Sequence, residues 1–314
     1  MNTAALILTV AAAAIAAICF AAAEIEKRRG SEACTSRDAL REKYLHQIIR
    51  ALASGGETAE KVKADTPRQR MALAEAMHTA MRHTYGSDRS ALQDMVDRNS
   101  LDRFLLRRIR LARGSRRAYL LTLLSSVPSH RDMSALPARY TRSHNRDVRI
   151  SALTAVMAAN PSMAVRALAA YPYRLTPFDT ARIIALLRRG LLPIAFEPLL
   201  ANDNRNLRML GMAIVRNFGI ESADRSLDKI IASDPDPQTV REAIYTLASL
   251  GRPLGRATLR RRMADFTPVQ RKELCRYLTL AGYSTRTIRT LLSEKEGLYA
   301  ETLINSYKRD LLCK

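Results

Sequence analysis

Amphipathic helical segments recur about every 30 residues along this chain, and that recurrence constrains its fold more than any other feature. An arginine stands near the first turn of each long segment. The spacings between successive arginines are 32, 33, 26, 33 and 30 residues. A period of this length built from two helices is typical of an α-solenoid, because one helix pair cannot bury its apolar stripe alone. The aligned arginines are Arg117, Arg149, Arg182, Arg208, Arg241 and Arg271.

The composition agrees with a helical protein. Aromatic residues make up 5% of the chain, Trp is absent, and there are 12 Gly and 12 Pro. An all-β sandwich or barrel would need more aromatic, β-branched and turn residues. We therefore predict an all-α fold. The predicted helices are 36–53, 66–86, 90–97 and 101–113, then long repeat helices at 115–126, 147–159, 177–189, 204–217, 237–250 and 268–281, with shorter ones at 163–170, 196–200, 223–232, 256–264 and 285–293.

Loops rich in helix-capping residues open the predicted pairs. Asn204, Asp236 and Thr267 each precede a long helix, and such side chains accept hydrogen bonds from the free N–H groups of a first turn. Inside the long helices a small residue recurs at one position, where it lets a neighbouring helix approach closely. The small residues are Ala152, Gly211 and Ala243.

Three long helices share a motif in which valine or leucine and arginine precede a small residue. The motif reads DVRISAL at 147–153, NLRMLGM at 206–212 and QTVREAI at 238–244. It resembles the second helix of HEAT repeats, including the bacterial HEAT-like repeats related to phycobilisome lyases. The resemblance covers roughly residues 115–293. It implies a solenoid whose groove binds another macromolecule, and it leaves a lyase-type enzyme as an alternative.

Residues 4–23 contain no charged side chain, and their polar residues are Thr9 and Cys19. Twenty helical residues span about 30 Å, the thickness of the hydrocarbon core of a bilayer. We predict a single transmembrane helix. A cleaved signal peptide that ends near Ala21–Ala23 remains open, although the positive segment that usually begins such peptides is missing.

Basic residues 27–29 follow the apolar segment directly, so the positive-inside rule places the rest of the chain in the cytoplasm. The predicted organisation is a short tail (1–3), a transmembrane helix (4–23), a linker (24–35), an N-terminal helical region of degenerate repeats or a cap (36–113), and a HEAT-like solenoid (114–314).

No motif for catalysis or cofactor binding stands out. The chain lacks a phosphate-binding glycine loop and the HExxH, GxSxG and CxxC patterns. Its four Cys are too scattered for a zinc site or a disulfide framework, and Cys275 falls on the apolar side of a predicted helix. Asp234 and Asp236 form a D-x-D pair, which helix capping explains better than a metal. We predict no catalytic residue, no metal, no cofactor and no small-molecule substrate.

The net charge is +21, and 42 of the 51 basic residues are Arg. Four explanations stay open: an acidic protein partner, an anionic lipid surface, nucleic acid, or a solvated basic face without a partner. Nucleic acid is disfavoured by the predicted membrane span and by the lack of aromatic residues among the arginines. The candidate partner- or anion-binding residues are Arg103, Arg107, Arg110, Arg117, Arg149, Arg208, Arg241, Arg256, Arg260 and Arg261.

These features together favour a non-enzymatic scaffold. A single N-terminal helix would tether a cytoplasmic HEAT-like solenoid, whose surface binds a protein partner such as a membrane enzyme or transporter. The alternatives are a basic solenoid that binds nucleic acid and a HEAT-like lyase-type enzyme.

Overall fold

The computed structural model describes residues 36–55, 62–83, 89–129, 131–188, 195–254 and 257–312. Every regular element within these ranges is helical. The helices are α1 (36–53), α2 (Pro67–His83), α3 (Arg89–Arg98), α4 (Leu101–Leu111), α5 (Gly114–Leu124), α6 (Ala135–Ala138), α7 (Arg146–Ala159), α8 (Ala164–Ala169), α9 (Pro177–Arg188), α10 (Glu197–Leu200), α11 (Arg205–Phe218), α12 (Asp224–Ser233), α13 (Pro237–Ser249), α14 (Ala257–Met263), α15 (Pro268–Leu280), α16 (Thr285–Leu291) and α17 (Glu294–Leu312).

The all-α prediction is confirmed for the described residues. Two helices were not predicted: the short α6 and the C-terminal α17 of 19 residues. Short 3₁₀ turns, at Pro161–Met163 and Glu221–Ala223, lead into α8 and α12. No helix in the described ranges has the length and apolarity to cross a bilayer, and the predicted span at 4–23 lies outside them.

The described chain forms two compact units. The first unit holds the described residues up to Tyr140 together with Asn145–Ala155, and the second holds Thr141–His144 and the described residues from Val156 onward. The division falls within α7. This division does not test the repeat start that the sequence predicts at residue 114, and that start stays a prediction.

In the first unit α2, α4 and α5 pack around a common core. Leu73, Leu105 and Leu121 are fully buried in these three helices. The buried Asn99 fastens the segment before α2, because its side chain accepts from Ala64 N at 2.7 Å and donates to Val62 O at 3.0 Å. Its polar groups are therefore satisfied, as burial requires.

In the second unit the helices form two series. Helices α9, α11, α13, α15 and α17 each contact the next of that series, and so do α10, α12, α14 and α16. Neighbours along the chain link the series, as in the contacts of α10 with α11 and of α12 with α13. Most of the helix packing is therefore between sequence neighbours and next-but-one neighbours, and α8 also contacts α11.

The predicted capping residues begin three helices of the second unit. Asn204 accepts from the backbone N–H groups of Asn206 and Leu207, and Asp236 accepts from Gln238 N. Thr267 forms a capping box with Gln270 at the start of α15. Because these bonds satisfy N–H groups that a helix leaves open, they fix where each helix begins.

Gly211 confirms the prediction that a small residue permits close helix packing. A Cβ atom at this position would lie 2.9 Å from Leu200 Cδ2 and 3.1 Å from Leu199 Cβ. Both leucines belong to α10 and are buried. The absence of a side chain at Gly211 thus sets how closely α11 approaches α10.

Two of the aligned arginines join one helix pair to the next. Arg208 Nε lies 3.2 Å from Asp234 Oδ2, although the two atoms are not in hydrogen-bond geometry, and Arg241 pairs with Glu273. The acids differ in burial: Asp234 is 4% exposed as a residue, whereas the side chain of Glu273 is 55% exposed.

We expect Arg208→Ala to lower the free energy of unfolding by about 3 kcal/mol, because it leaves the carboxylate of Asp234 buried without its ion pair. The matched variant Arg241→Ala should cost less than about 1 kcal/mol, since water can solvate Glu273. Urea unfolding of the full chain in detergent, followed by circular dichroism, measures both. Equal losses would show that burial of the acid does not set the strength of these pairs.

We expect Gly211→Leu to destabilise the chain by about 2 kcal/mol, because a large side chain would push into Leu199 and Leu200. Ser249→Leu, at an exposed position of α13, is the control for adding a leucine to a helix. Thermal unfolding of both variants provides the comparison. A glycine variant as stable as the control would contradict the role given to this close contact.

Candidate functional site

The structure keeps three predicted arginines together on α4. Arg103, Arg107 and Arg110 are exposed, while Leu105 and Ile109 lie buried on the opposite side of the helix. On α14, Arg260 and Arg261 are also exposed. Arg256 lies outside the described residues, so its predicted place beside them remains a prediction.

The other predicted arginines are engaged with protein groups. Arg117 Nε donates to Ile109 O at 3.3 Å, and its guanidinium lies 4.4 Å from the centre of the Tyr140 ring. Arg149 is half-buried on α7. Arg208 and Arg241 form the ion pairs described above. These side chains therefore have structural contacts that the sequence did not assign to them.

Some arginines near the C-terminus pair with carboxylates in the second unit, whereas Arg260 and Arg261 form no ion pair with the described residues. Arg252 lies 3.1 Å from Glu221 and 3.2 Å from Asp224, measured between side-chain nitrogen and oxygen atoms. Arg289 Nε lies 3.2 Å from Glu294 Oε1. The basic cluster seen in the sequence is therefore interleaved with carboxylates that come from other parts of the chain.

A pocket of about 470 Å³ opens between α1, α2, α4 and α5 in the first unit. This volume lies within the range of ligand-binding pockets, about 300–1,000 Å³. Its lining combines arginines with apolar side chains. The lining residues are Ser36, Arg37, Leu40, Pro67, Arg68, Met71, Ala72, Arg108, Arg116, Tyr119 and Leu120.

Three arginines of this pocket have no charge partner among the described residues. Arg68, Arg108 and Arg116 form no ion pair with any of the described residues. The guanidinium of Arg108 lies 5.3 Å from the centre of the Phe104 ring, which orients it without neutralising it. The pocket therefore presents positive charge beside an apolar surface.

The fourth arginine belongs to a polar cluster around a buried carboxylate. Arg37 Nε donates to Glu75 Oε2 at 3.1 Å, a second nitrogen of the same guanidinium bonds Glu75 Oε1, and Tyr119 Oη donates to Glu75 Oε1 at 2.7 Å. Glu75 is 5% exposed. Burial, together with the Glu75 carboxylate, raises the pKa of Tyr119 to about 12. We call Arg37, Glu75 and Tyr119 the Glu75 cluster.

The predicted D-x-D capping pair is confirmed in part. Asp236 caps α13, and hydrogen bonds from Thr239 and Arg205 outweigh its burial, so the pKa of Asp236 lies below its ordinary value. Asp234 accepts from Asp236 N at 2.9 Å and pairs with Arg208, so its role is an ion pair within a turn.

Two side chains that could act as nucleophiles, Ser126 and Cys275, are buried. Ser126 approaches His78, with 2.7 Å between Oγ and Nδ1, but Ser126 is 2% exposed. Cys275 is fully buried, as predicted, and burial raises the pKa of its thiol. Within the described ranges no three His, Cys, Asp or Glu residues are arranged to hold a metal ion.

No protein-family model matches this chain, and no curated protein is significantly similar to it. Its functional interpretation therefore depends on its own residues.

We expect Tyr119→Phe to lower the free energy of unfolding by about 1 kcal/mol at neutral pH, because the hydroxyl no longer donates to Glu75. In the parent chain the pKa of Tyr119 is about 12 when folded and about 10 when unfolded. A raised folded pKa gives stability that is complete below the unfolded pKa and is lost as pH rises through the folded pKa. As the pH rises from about 10 to about 12, the free energy of unfolding should therefore fall less for Tyr119→Phe than for the parent chain.

Urea unfolding at neutral pH and at a series of alkaline pH values measures this difference. Tyr307→Phe is the control, because the hydroxyl of Tyr307 has no hydrogen-bond partner among the described residues. If Tyr119→Phe leaves the dependence of the free energy of unfolding on alkaline pH unchanged, the role given to the Tyr119–Glu75 hydrogen bond is wrong.

Proposed function

We propose that this chain is a membrane-tethered helical-repeat adaptor that binds a protein partner and catalyses no reaction itself. The observation that carries the proposal is the pocket of the first unit, where Arg68, Arg108 and Arg116 have no acidic partner among the described residues and lie beside an apolar surface. Uncompensated arginines next to buried apolar area are typical of the centres of protein interfaces.

A HEAT-like repeat architecture is part of the proposal. It is supported by the two series of helices in the second unit, in which each helix contacts its next-but-one neighbour. It is supported also by Gly211 and by the ion pairs of Arg208 and Arg241, since each of these residues joins one helix pair to another. Repeat proteins derive their stability from such contacts between neighbours and present long binding surfaces.

The membrane tether is proposed from the sequence. Residues 4–23 are apolar over a length that spans a bilayer, and the basic residues 27–29 orient the following chain toward the cytoplasm. A tether restricts the adaptor to the membrane surface. The partner would therefore be a membrane protein, such as an enzyme or transporter, or a protein recruited to one.

A protein partner explains the distribution of charge better than nucleic acid does. A nucleic-acid surface needs a continuous positive tract that neutralises many phosphates. In the second unit, carboxylates interrupt the C-terminal arginines, as in the pairs of Arg252 with Asp224 and of Arg289 with Glu294. Such an interrupted surface suits a local acidic contact better than a continuous row of phosphates.

A crosslinked pull-down of the full chain tests this function, beside the same chain without residues 1–30. Exposed lysines allow each crosslink to be assigned, because Lys43 and Lys63 belong to the first unit whereas Lys229, Lys272 and Lys295 belong to the second. We expect one discrete membrane protein, crosslinked through Lys43 or Lys63 and recovered with the anchored form.

Nuclease treatment is the control for nucleic acid. Nucleic acid recovered equally with both forms, with no crosslinked protein, would overturn the adaptor in favour of a nucleic-acid-binding solenoid. Crosslinks confined to the second-unit lysines would place the partner away from the pocket and would also count against the proposal.

A further inference from the structure

We propose that the pocket between α1, α2, α4 and α5 receives a short acidic segment of the partner. Its carboxylates would bind Arg68, Arg108 and Arg116, and an aliphatic side chain beside them would cover the apolar surface. This inference rests on the proposed adaptor function and names the chemistry that its binding site recognises.

The charge of the pocket identifies carboxylates as the ligand groups. Arg68, Arg108 and Arg116 have no acidic partner among the described residues, whereas Arg37 is already held by Glu75. A guanidinium presents a planar fork of donors that fits a carboxylate with two hydrogen bonds. The three uncompensated arginines are thus the residues that determine specificity, and Arg37 forms part of the wall.

Apolar side chains between these arginines define the second requirement. Leu40, Met71 and Leu120 line the same pocket from three different helices. A simple anion would leave this apolar surface exposed to water. An aliphatic side chain would bury it, with a favourable free energy of roughly 25 cal/mol for each Å² removed from water. The ligand therefore combines negative charge with an apolar group at short range.

The size of the pocket limits the occupant to a few residues. Its volume is about 470 Å³, and a helix with side chains, about 10–12 Å across, would fill such a space within roughly one turn. A short segment of a partner chain fits this volume. A whole helix or domain face would contact the rim and leave the interior empty.

Exposed carboxylates beside the pocket argue against an anionic bilayer as the occupant. Helix α1 forms one wall through Arg37 and Leu40, and the same helix exposes Asp38 and Glu42, whose side chains are 56% and 73% exposed. A planar anionic surface would meet these carboxylates as well as the arginines. A short segment inside the pocket avoids them.

The Glu75 cluster prepares the pocket before any ligand arrives. Its three side chains come from α1, α2 and α5, which are three of the four helices around the pocket. Bonds to a buried carboxylate hold these walls in place, so binding would not have to order them. Preorganisation of this kind reduces the entropic cost of binding.

A labelled peptide provides the direct test. We would measure, by fluorescence anisotropy, the binding of a fluorescein-labelled hexapeptide of alternating glutamate and leucine to the full chain in phosphatidylcholine nanodiscs. Two counterparts replace every glutamate with glutamine or every leucine with serine, and empty nanodiscs provide the background. We expect each counterpart to bind at least about tenfold more weakly, a difference of roughly 1.4 kcal/mol.

Two matched triple variants locate the site. Arg68→Gln, Arg108→Gln and Arg116→Gln remove three charges from the pocket, while Arg50→Gln, Arg82→Gln and Arg139→Gln remove three exposed charges from other parts of the first unit. The pocket triple should weaken peptide binding at least about tenfold and the control triple less than about twofold. The single variant Arg116→Gln, at an exposed position, keeps the test valid if the pocket triple unfolds.

Several results would overturn the inference. Equal losses in both triples would show attraction by net charge alone, and equal binding of the glutamine or serine peptide would remove the stated specificity. Displacement by dioctanoyl phosphatidylglycerol, with no effect of dioctanoyl phosphatidylcholine, would make the pocket a lipid site.

Failure of the inference is distinguishable from failure of the proposed function. If the partner crosslinks to Lys43 or Lys63 as strongly in the pocket triple as in the parent chain, the adaptor function stands and the pocket assignment fails. If the peptide binds as expected but no partner is captured, the pocket assignment stands and the adaptor function fails.

Discussion

The helices of the second unit bury their apolar side chains against other helices of that unit, and its packing follows from that constraint. Within both series of helices each helix contacts the next, so contacts run to the next-but-one helix of the chain. Gly211 permits the close approach of α11 to α10, and Arg208 joins α11 to the turn before α13. Apolar packing brings these helices together, the small residue sets how closely α11 approaches α10, and the ion pair links α11 to the turn before α13.

Arginine serves two purposes in this molecule, and the difference lies in what surrounds each side chain. Arg208, Arg241 and Arg252 meet carboxylates from other parts of the second unit and hold helices together. Arg68 and Arg116 have no such partner among the described residues and border an apolar pocket. Composition alone shows an excess of arginine, whereas the positions of the acids decide which arginines remain available for binding.

Local signals allowed most helix boundaries to be predicted. Asn204, Asp236 and Thr267 begin helices because capping depends on neighbouring residues only, and Gly211 was recognised by its place in a repeated pattern. Helix α17 was missed because no aligned arginine marks its first turn, although Ser293 and Glu296 form an S-x-x-E capping pattern there. Its residues extend the series of α11, α13 and α15.

The pocket could not be predicted, since its residues come from four helices and share no motif. Arg68 and Arg116 are separated by nearly fifty positions, and nothing in either local sequence distinguishes them from Arg208. Only the packing of α1 and α5 against α2 brings Arg37 and Tyr119 onto Glu75.

The Glu75 cluster explains how a strongly basic protein can present a selective site. A buried carboxylate neutralises Arg37 within the pocket wall, so this arginine contributes structure and little attraction for anions. The charge that a ligand meets then comes from Arg68, Arg108 and Arg116, and these lie beside Leu40 and Met71. Net charge draws any anion toward the surface, whereas the apolar side chains favour a ligand that also buries apolar area.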